Sequence, residues 1–292
     1  MIIVRLIGGL GNQLFQYAIA RRLAFETKQP LKMDLTGFET YTLHAYSLQP
    51  FNVRHDVATL EEIGRVKPLT EDTGGLLSPS RLLRKLRYSR TWIKERTPYV
   101  YDPEVLQARG DVYLDGYWAN EKYFKSIEAV IREEFTVKAD PEGTDLATAQ
   151  FIEGVASVCL HVRRGDYATD SVTQSFHGLA PLDYYREAVA RLTARVRDPH
   201  VFVFSDDADW VRKHVRLDYP TTYVTHNKAD KNYEDLRLMA LCRHHIIANS
   251  SFSWWGAWLG QSRDQIVYAP AKWLNRPEID TSDAMPAHWG KL

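Results

Sequence analysis

The strongest constraint on this chain is its opening. Met1 to Leu6 is a β-branched apolar run. It meets the turn Gly8-Gly9-Leu10-Gly11 and passes into a helix of apolar periodicity from Asn12 to about Thr27. PLKMDL, from Pro30 to Leu35, then reads as a second strand. A strand, a glycine turn, a helix and a strand favour a parallel sheet covered by helices, so the N-terminal half is expected to be α/β.

The second half repeats the alternation. A buried strand SVCLHV spans Ser157 to Val162, a helix runs around Asp183 to Arg197, and VFVFS follows from Val201 to Ser205. A helix starts at Tyr233, and HHIIANS spans His244 to Ser250. This is the pattern of a doubly wound sheet. Asp111 to Tyr117 alternates like a strand, and Glu121 to Phe135 reads as a helix closing the first half. Lys138 to Thr148 is polar and contains Pro141 and Gly143, which places a boundary there. At 292 residues the chain suits two domains, 1–145 and 146–292.

Hydrophobic residues at 45% give enough apolar surface for two cores, so extensive disorder is excluded. The formal charge is zero, which removes the field that gathers nucleic acid, so no nucleic-acid partner is expected. Cys159 and Cys242 lie in apolar runs and read as small core residues. No run of about 18 apolar residues occurs, and Met1 leads straight into the first strand, so a cytoplasmic chain without a membrane span is expected. Arg81, Arg84, Lys85, Arg87 and Arg90 lack an acidic partner within a weakly patterned stretch, Thr70 to Thr97. That stretch reads as a loop or exposed helix, either a solvated basic face or a peripheral contact with an anionic membrane or lipid-linked substrate. Nothing in the sequence reports an oligomeric state.

Four motifs can carry chemistry. In the first, Gly9, Gly11, Asn12 and Gln13 lead from strand to helix, where backbone N–H groups can approach a phosphate or sugar. Gly9, Gly11 and Asp34 also invite a nicotinamide-cofactor reading, but Leu14 stands where that fingerprint requires its third glycine. The second, HVRRGDY, His161 to Tyr167, leaves a strand end where open α/β sheets bind ligands. Its Arg163 and Arg164 can offer forked donors to a diphosphate, and Asp166 can orient one of them. The third, FSDD, ends in Ser205, Asp206 and Asp207. A carboxylate there can accept the paired N–H donors of guanine, adjacent acids can hold a divalent metal, and either acid can cap the next helix. In the fourth, Asn249, Ser250, Ser251, Phe252 and Ser253 begin a helix that can hold phosphates, and Trp254, Trp255 and Trp258 read mainly as core.

GGLGNQLFQYA (Gly8 to Ala18), HVRRGDY, FSDD and NSSFSWWGAWL (Asn249 to Leu259), in this order, closely resemble the α-1,2-fucosyltransferases, and APAKWLN (Ala269 to Asn275) is similar to that family's tail. The resemblance implies a GT-B-type glycosyltransferase of two Rossmann-like domains facing a cleft. It implies GDP-fucose bound mainly by the C-terminal half and a galactose-terminated acceptor bound by the cleft and N-terminal half. It also implies that Arg163 or Arg164 binds the β-phosphate, that His161 lies by the guanine, and that Asp206 or Asp207 reads the base. An inverting, single displacement onto the 2-hydroxyl of a terminal β-galactoside follows, in surface-polysaccharide or O-antigen synthesis, with arginines and helix N-termini in place of a metal or other cofactor. Asp166 is the first candidate for general base, with His177 and Asp170 as alternatives. A transferase using another nucleotide sugar and a non-catalytic glycan-binding module are the competing readings.

Overall fold

In a computed structural model, residues 1–69, 88, 90–165 and 170–292 are described. The chain forms two compact units, Met1–Phe135 and Thr136–Leu292. The division falls ten residues before the boundary expected at 145/146. The polar stretch that reads as a linker contains a helix, Gly143–Gly154, whose Ala149 and Ile152 are buried in the core of the second unit.

Among the described residues, the first unit carries a parallel sheet of β1 (Ile2–Arg5), β2 (Leu31–Asp34), β3 (Trp92–Lys94) and β4 (Val112–Asp115) in the order β2-β1-β4-β3. Helix α1 (Leu10–Thr27) connects β1 to β2, and α2 (Leu60–Val66) places Ile63 and Val66 against Ile3 and Tyr113. Gly8 makes the turn after β1 with φ +84, and a Cβ there would stand 2.8 Å from Asn12 Nδ2, so only glycine fits.

Two expectations are corrected in this unit. Trp92–Lys94 is a strand and not loop or exposed helix; its three residues are too short for alternation to register, and Trp92↔Tyr113 pairing fixes it. Glu121 to Phe135 is not one helix. It begins as single 3₁₀ turns at Glu121–Tyr123 and Lys125–Ile127, and α3 covers only Glu128–Glu134. Phe124, buried with φ −134, interrupts the winding so that its ring reaches Phe15 at 6.1 Å.

The second unit contains α4 (Gly143–Gly154), β5 (Ala156–Val162), α5 (Ser171–His177), α6 (Leu182–Thr193), β6 (Pro199–Ser205) and α7 (Ala208–His214). There follow β7 (Thr221–Val224), α8 (Asn232–Leu241), β8 (His244–Ile246), α9 (Ser251–Leu259), β9 (Val267–Ala269) and β10 (Gly290–Lys291). The parallel sheet runs β10-β9-β8-β5-β6-β7, the Rossmann order when read from β7. Strand periodicity explains the unbroken apolar runs. Val158, Leu160 and Val162 pack on α6, while Cys159, Phe202 and Phe204 pack under α4 and α8, so both faces are covered. Both halves are therefore α/β and Rossmann-like, as expected.

Candidate functional site

In the second unit the chain turns from β7-β6 on one side of β5 to β8-β9-β10 on the other. The crevice beyond the carboxyl ends of β5 and β8 is the switch point at which such sheets bind ligands. His161, Arg163 and Arg164 leave β5 there, and Asn249 and Ser250 follow β8. The neighbouring β6 delivers Ser205, Asp206 and Asp207 to the same edge.

The two acids hold the two arginines. Arg163 Nη1 pairs with Asp206 Oδ2 at 2.9 Å, and the Arg164 backbone N–H donates to Asp206 Oδ1 at 2.8 Å. Arg164 Nε donates to Asp207 Oδ2 at 3.2 Å, and its guanidinium lies 3.9 Å above the Trp210 ring. Asp207 Oδ1 also accepts from Trp210 N and caps α7, while Ser205 Oγ accepts from Asp207 N. The helix-cap reading of Asp207 thus holds together with an arginine contact. Both guanidinium groups are about four-fifths buried, so they are held in place at the crevice with charge to offer an anion.

Gly165 is where this packing is tightest: an added Cβ would lie 2.3 Å from Asp206 Oδ2. Asp166, the first candidate for general base, lies outside the described residues, as do Arg81, Arg84, Lys85 and Arg87. Of the alternatives, Asp170 caps α5 by accepting from Thr173 N at 2.7 Å. His177 ends that helix with its ring against Phe176, and its carbonyl accepts from Asn249 Nδ2.

His161 and Asn249 each bury a polar atom that has no partner among the described residues. These are His161 Nδ1 and Asn249 Oδ1, in side chains 4% and 3% exposed. A buried orphan of this kind costs roughly 1–3 kcal/mol, which a ligand can recover. Burial, reinforced by Arg163, pushes the His161 imidazole down to about 3, so at neutral pH it is uncharged. Its ring lies 5.8 Å from that of Phe252. Asn249 Nδ2 donates to the carbonyls of His177, Gly178 and Trp273, which ties β8 to the loop after β9. A cavity of about 800 Å³ opens in that loop, lined in part by Lys272, Trp273 and Arg276.

Other expected residues make contacts within their own unit. Ser250 caps α9 by accepting from Phe252 N at 3.3 Å. Ser253 is fully buried, with its hydroxyl turned to the carbonyls of Ala248 and Ser250, and Ser251 is half-exposed in the first turn. In the first unit Gly9 is the half-exposed N-cap of α1 and Gly11 is buried in its first turn. Asn12 is half-exposed beside Gly8. Gln13 is wholly buried, and its amide is spent on Gly8 O, Ala45 O and Ser47 N. The side-chain polar atoms of Ser253 and Gln13 thus face carbonyls and amides of their own unit.

Asp34 is likewise buried, accepting from Thr36 and from Tyr113 Oη, so it is unavailable to a ribose and the nicotinamide reading loses its acid. Trp254, Trp255 and Trp258 are core, with Trp254 stacked on Trp258 at 6.1 Å. Among the described residues no group of three or more His, Cys, Asp or Glu is arranged to hold a metal, and no helix is long and apolar enough to cross a membrane.

Sequence reasoning missed a polar network in this unit. Asp145 of α4 accepts from His226 at 2.7 Å and Asn227 at 2.8 Å, and Asn227 Nδ2 reaches Asp235 of α8 at 2.9 Å. Burial pushes the Asp235 carboxyl up to about 6. The network's members lie up to 90 residues apart and share no local pattern; the one local signal is the pair of acids, Glu234 and Asp235, in the first turn of α8.

The model of the family described as Glycosyl transferase family 11 matches residues 103–292. An alpha-1,2-colitosyltransferase of Escherichia coli is 32% identical over 100% of this chain and 99% of its own length. The O-antigen biosynthesis glycosyltransferase WbnK of Escherichia coli is 31% identical over 92% and 93%. A solved NodZ alpha-1,6-fucosyltransferase soaked with GDP-fucose gives a TM-score of 0.49 at 16% identity, over 91% of this chain and 94% of that one. This chain is a glycosyltransferase and belongs to glycosyl transferase family 11.

Proposed function

We propose that this enzyme transfers L-fucose, with inversion, from GDP-β-L-fucose to the 2-hydroxyl of a terminal β-galactoside, and that it does so in the assembly of a bacterial surface polysaccharide such as O-antigen. The observation that carries the reading is the arginine pair at the switch point, Arg163 on Asp206 and Arg164 on Asp207, within a chain of this family. The donor diphosphate sits against these guanidinium groups and the first turn of α9, and His161 Nδ1 and Asn249 Oδ1 gain partners from the nucleotide.

The acceptor oxygen attacks the anomeric carbon from the face opposite the diphosphate. The C–O bond to the β-phosphate breaks, its electron pair leaves with GDP, and the acceptor's proton passes to a base, for which Asp166 remains the first candidate. The arginines neutralise the charge growing on the leaving oxygen. Asp206 and Asp207, each engaged with an arginine, act by orienting those arginines.

A second donor is favoured by one observation. The relative that spans this whole chain at 32% identity is a colitosyltransferase, and colitose is fucose without its 3-hydroxyl. The test is GDP release and linkage analysis with lactose, in EDTA, using GDP-fucose and GDP-colitose in parallel. An α-1,2-fucosyl product in EDTA supports the first reading and its independence of metal. Preference for GDP-colitose by tenfold or more replaces the donor, and loss of activity that Mg²⁺ or Mn²⁺ restores overturns metal independence.

A further inference from the structure

The first unit has a switch point of its own. Its sheet runs β2-β1-β4-β3, so the chain departs to opposite sides at the boundary between β1 and β4. Arg5, the last residue of β1, and Asp115, the last of β4, meet across that boundary, Nη1 to Oδ1 at 3.2 Å. The second carboxylate oxygen of Asp115 accepts from Trp92 Nε1 at 3.0 Å, so the acid is fixed from both sides. Arg5 is partly exposed, and among the described residues this one guanidinium nitrogen carries its hydrogen bonding.

Beside the pair, the chain leaving β4 is held in an unusual course. Trp118 is buried at 1% exposure with φ +56, a conformation that a bulky side chain rarely adopts. Glu95, just past β3, imposes it: Oε2 accepts from Tyr117 N at 2.8 Å and Oε1 from Trp118 N at 3.0 Å. Gly116 admits this approach, since a Cβ there would lie 2.4 Å from Glu95 Cβ. The consequence is at Tyr117, which is 42% exposed although its neighbour Trp118 is in the core. A large, half-exposed aromatic residue thus stands two residues beyond Asp115 at the carboxyl end of β4, with its backbone N–H fixed by Glu95.

We propose that Tyr117, Arg5 and Asp115 form a pyranoside-binding site, in which a neutral sugar lays its apolar face on the Tyr117 ring and offers adjacent hydroxyls to the Arg5–Asp115 pair. Glu95 is the positioning residue that holds the ring in place. An aromatic face supplies dispersion contact with C–H groups, and a fixed guanidinium–carboxylate pair supplies a donor and an acceptor at neighbouring-hydroxyl spacing. The chemistry selects an uncharged sugar, since no net charge is offered by the pair. Resting on the transferase reading above, the site takes the β-galactoside acceptor.

Lactose binding is measured by saturation-transfer NMR in the presence of GDP, alongside transfer kinetics. Tyr117→Ala and Arg5→Ala are expected to weaken lactose binding and raise the lactose KM by tenfold or more, with unchanged thermal midpoints. Tyr117→Phe is expected to recover most of the loss, and Glu95→Ala to raise KM more than it lowers kcat. Variants that bind lactose within twofold of wild type overturn the site, as does a wild type that shows no lactose saturation. If GDP-fucose and GDP-colitose are not turned over but Tyr117-dependent lactose binding persists, the site stands and the donor reading falls.

Discussion

Arg163 and Asp206 are joined at 2.9 Å across the carboxyl ends of adjacent strands, β5 and β6, and the same carboxylate accepts the Arg164 backbone N–H. One acid thereby sets the direction of one arginine and the backbone of the next. If Asp206 works through Arg163, removing either should remove much the same function. Arg163→Ala is expected to lower kcat/KM for the donor by about 10²–10³, and Asp206→Ala by about 10². The double variant should resemble Arg163→Ala alone. Strictly multiplicative losses in this cycle would show that Asp206 acts independently.

Gly165 tests the same geometry sterically. A methyl group there would stand 2.3 Å from Asp206 Oδ2, so Gly165→Ala must displace the carboxylate. Activity should fall about as far as in Asp206→Ala. In an Asp206→Ala background the added methyl has room, and the substitution should change donor kcat/KM by less than about threefold. Equal effects in both backgrounds would mean that Gly165 is required for its backbone alone.

Gln13 predicts a stability effect. Its wholly buried amide joins Gly8 O, Ala45 O and Ser47 N, linking the first turn of α1 to the loop after β2. Gln13→Ala leaves two carbonyls and one N–H without this partner, at a cost of roughly 2–4 kcal/mol. Urea unfolding should detect it, and an unchanged midpoint would mean that water replaces the amide freely.

What could be read from the sequence divides by the range of the signal. The strand ends that carry His161, Arg163 and Asp206 were legible because β5 and β6 are buried on both faces and read as continuous apolar runs. Trp254 and Trp258 were legible as core for the related reason that helix spacing reveals a face. The Arg163–Asp206 and Arg164–Asp207 pairs were not: 43 residues separate each pair, and only the order of strands brings them together. Asp206 and Asp207 looked free to read a base because sequence shows the carboxylate and not its partner. Tyr117 and Arg5 were hidden in the same way, each in a strand-like segment whose end becomes a site only once β1 lies beside β4.

Acid sensitivity follows from the buried imidazoles. Burial pushes His245 down to about 4, while His161 is pushed to about 3 by burial and Arg163. His245 is fully buried between Gln265, at 3.0 Å from Nδ1, and the Met239 carbonyl, at 2.8 Å from Nε2, and so holds a defined neutral tautomer. In the unfolded chain both rings titrate near 6.5. Between that value and 3–4 the unfolded state therefore binds more protons, and stability rises with pH through this window and is lost on acidification. Asp235 opposes the trend: burial raises its folded value to about 6, so its contribution falls as pH rises from the ordinary carboxylate range to 6. The imidazole shifts are the larger, and the net result is a loss on the order of several kcal/mol between pH 7 and 4. Asp235→Asn, which can still accept from Asn227, should raise stability at pH 7 and steepen the acid loss, whereas His245→Gln should flatten it. Urea midpoints for the three proteins at pH 7, 5.5 and 4 decide the matter: a wild-type midpoint that does not fall with pH, or an Asp235→Asn profile parallel to it, contradicts the assignment of these buried groups.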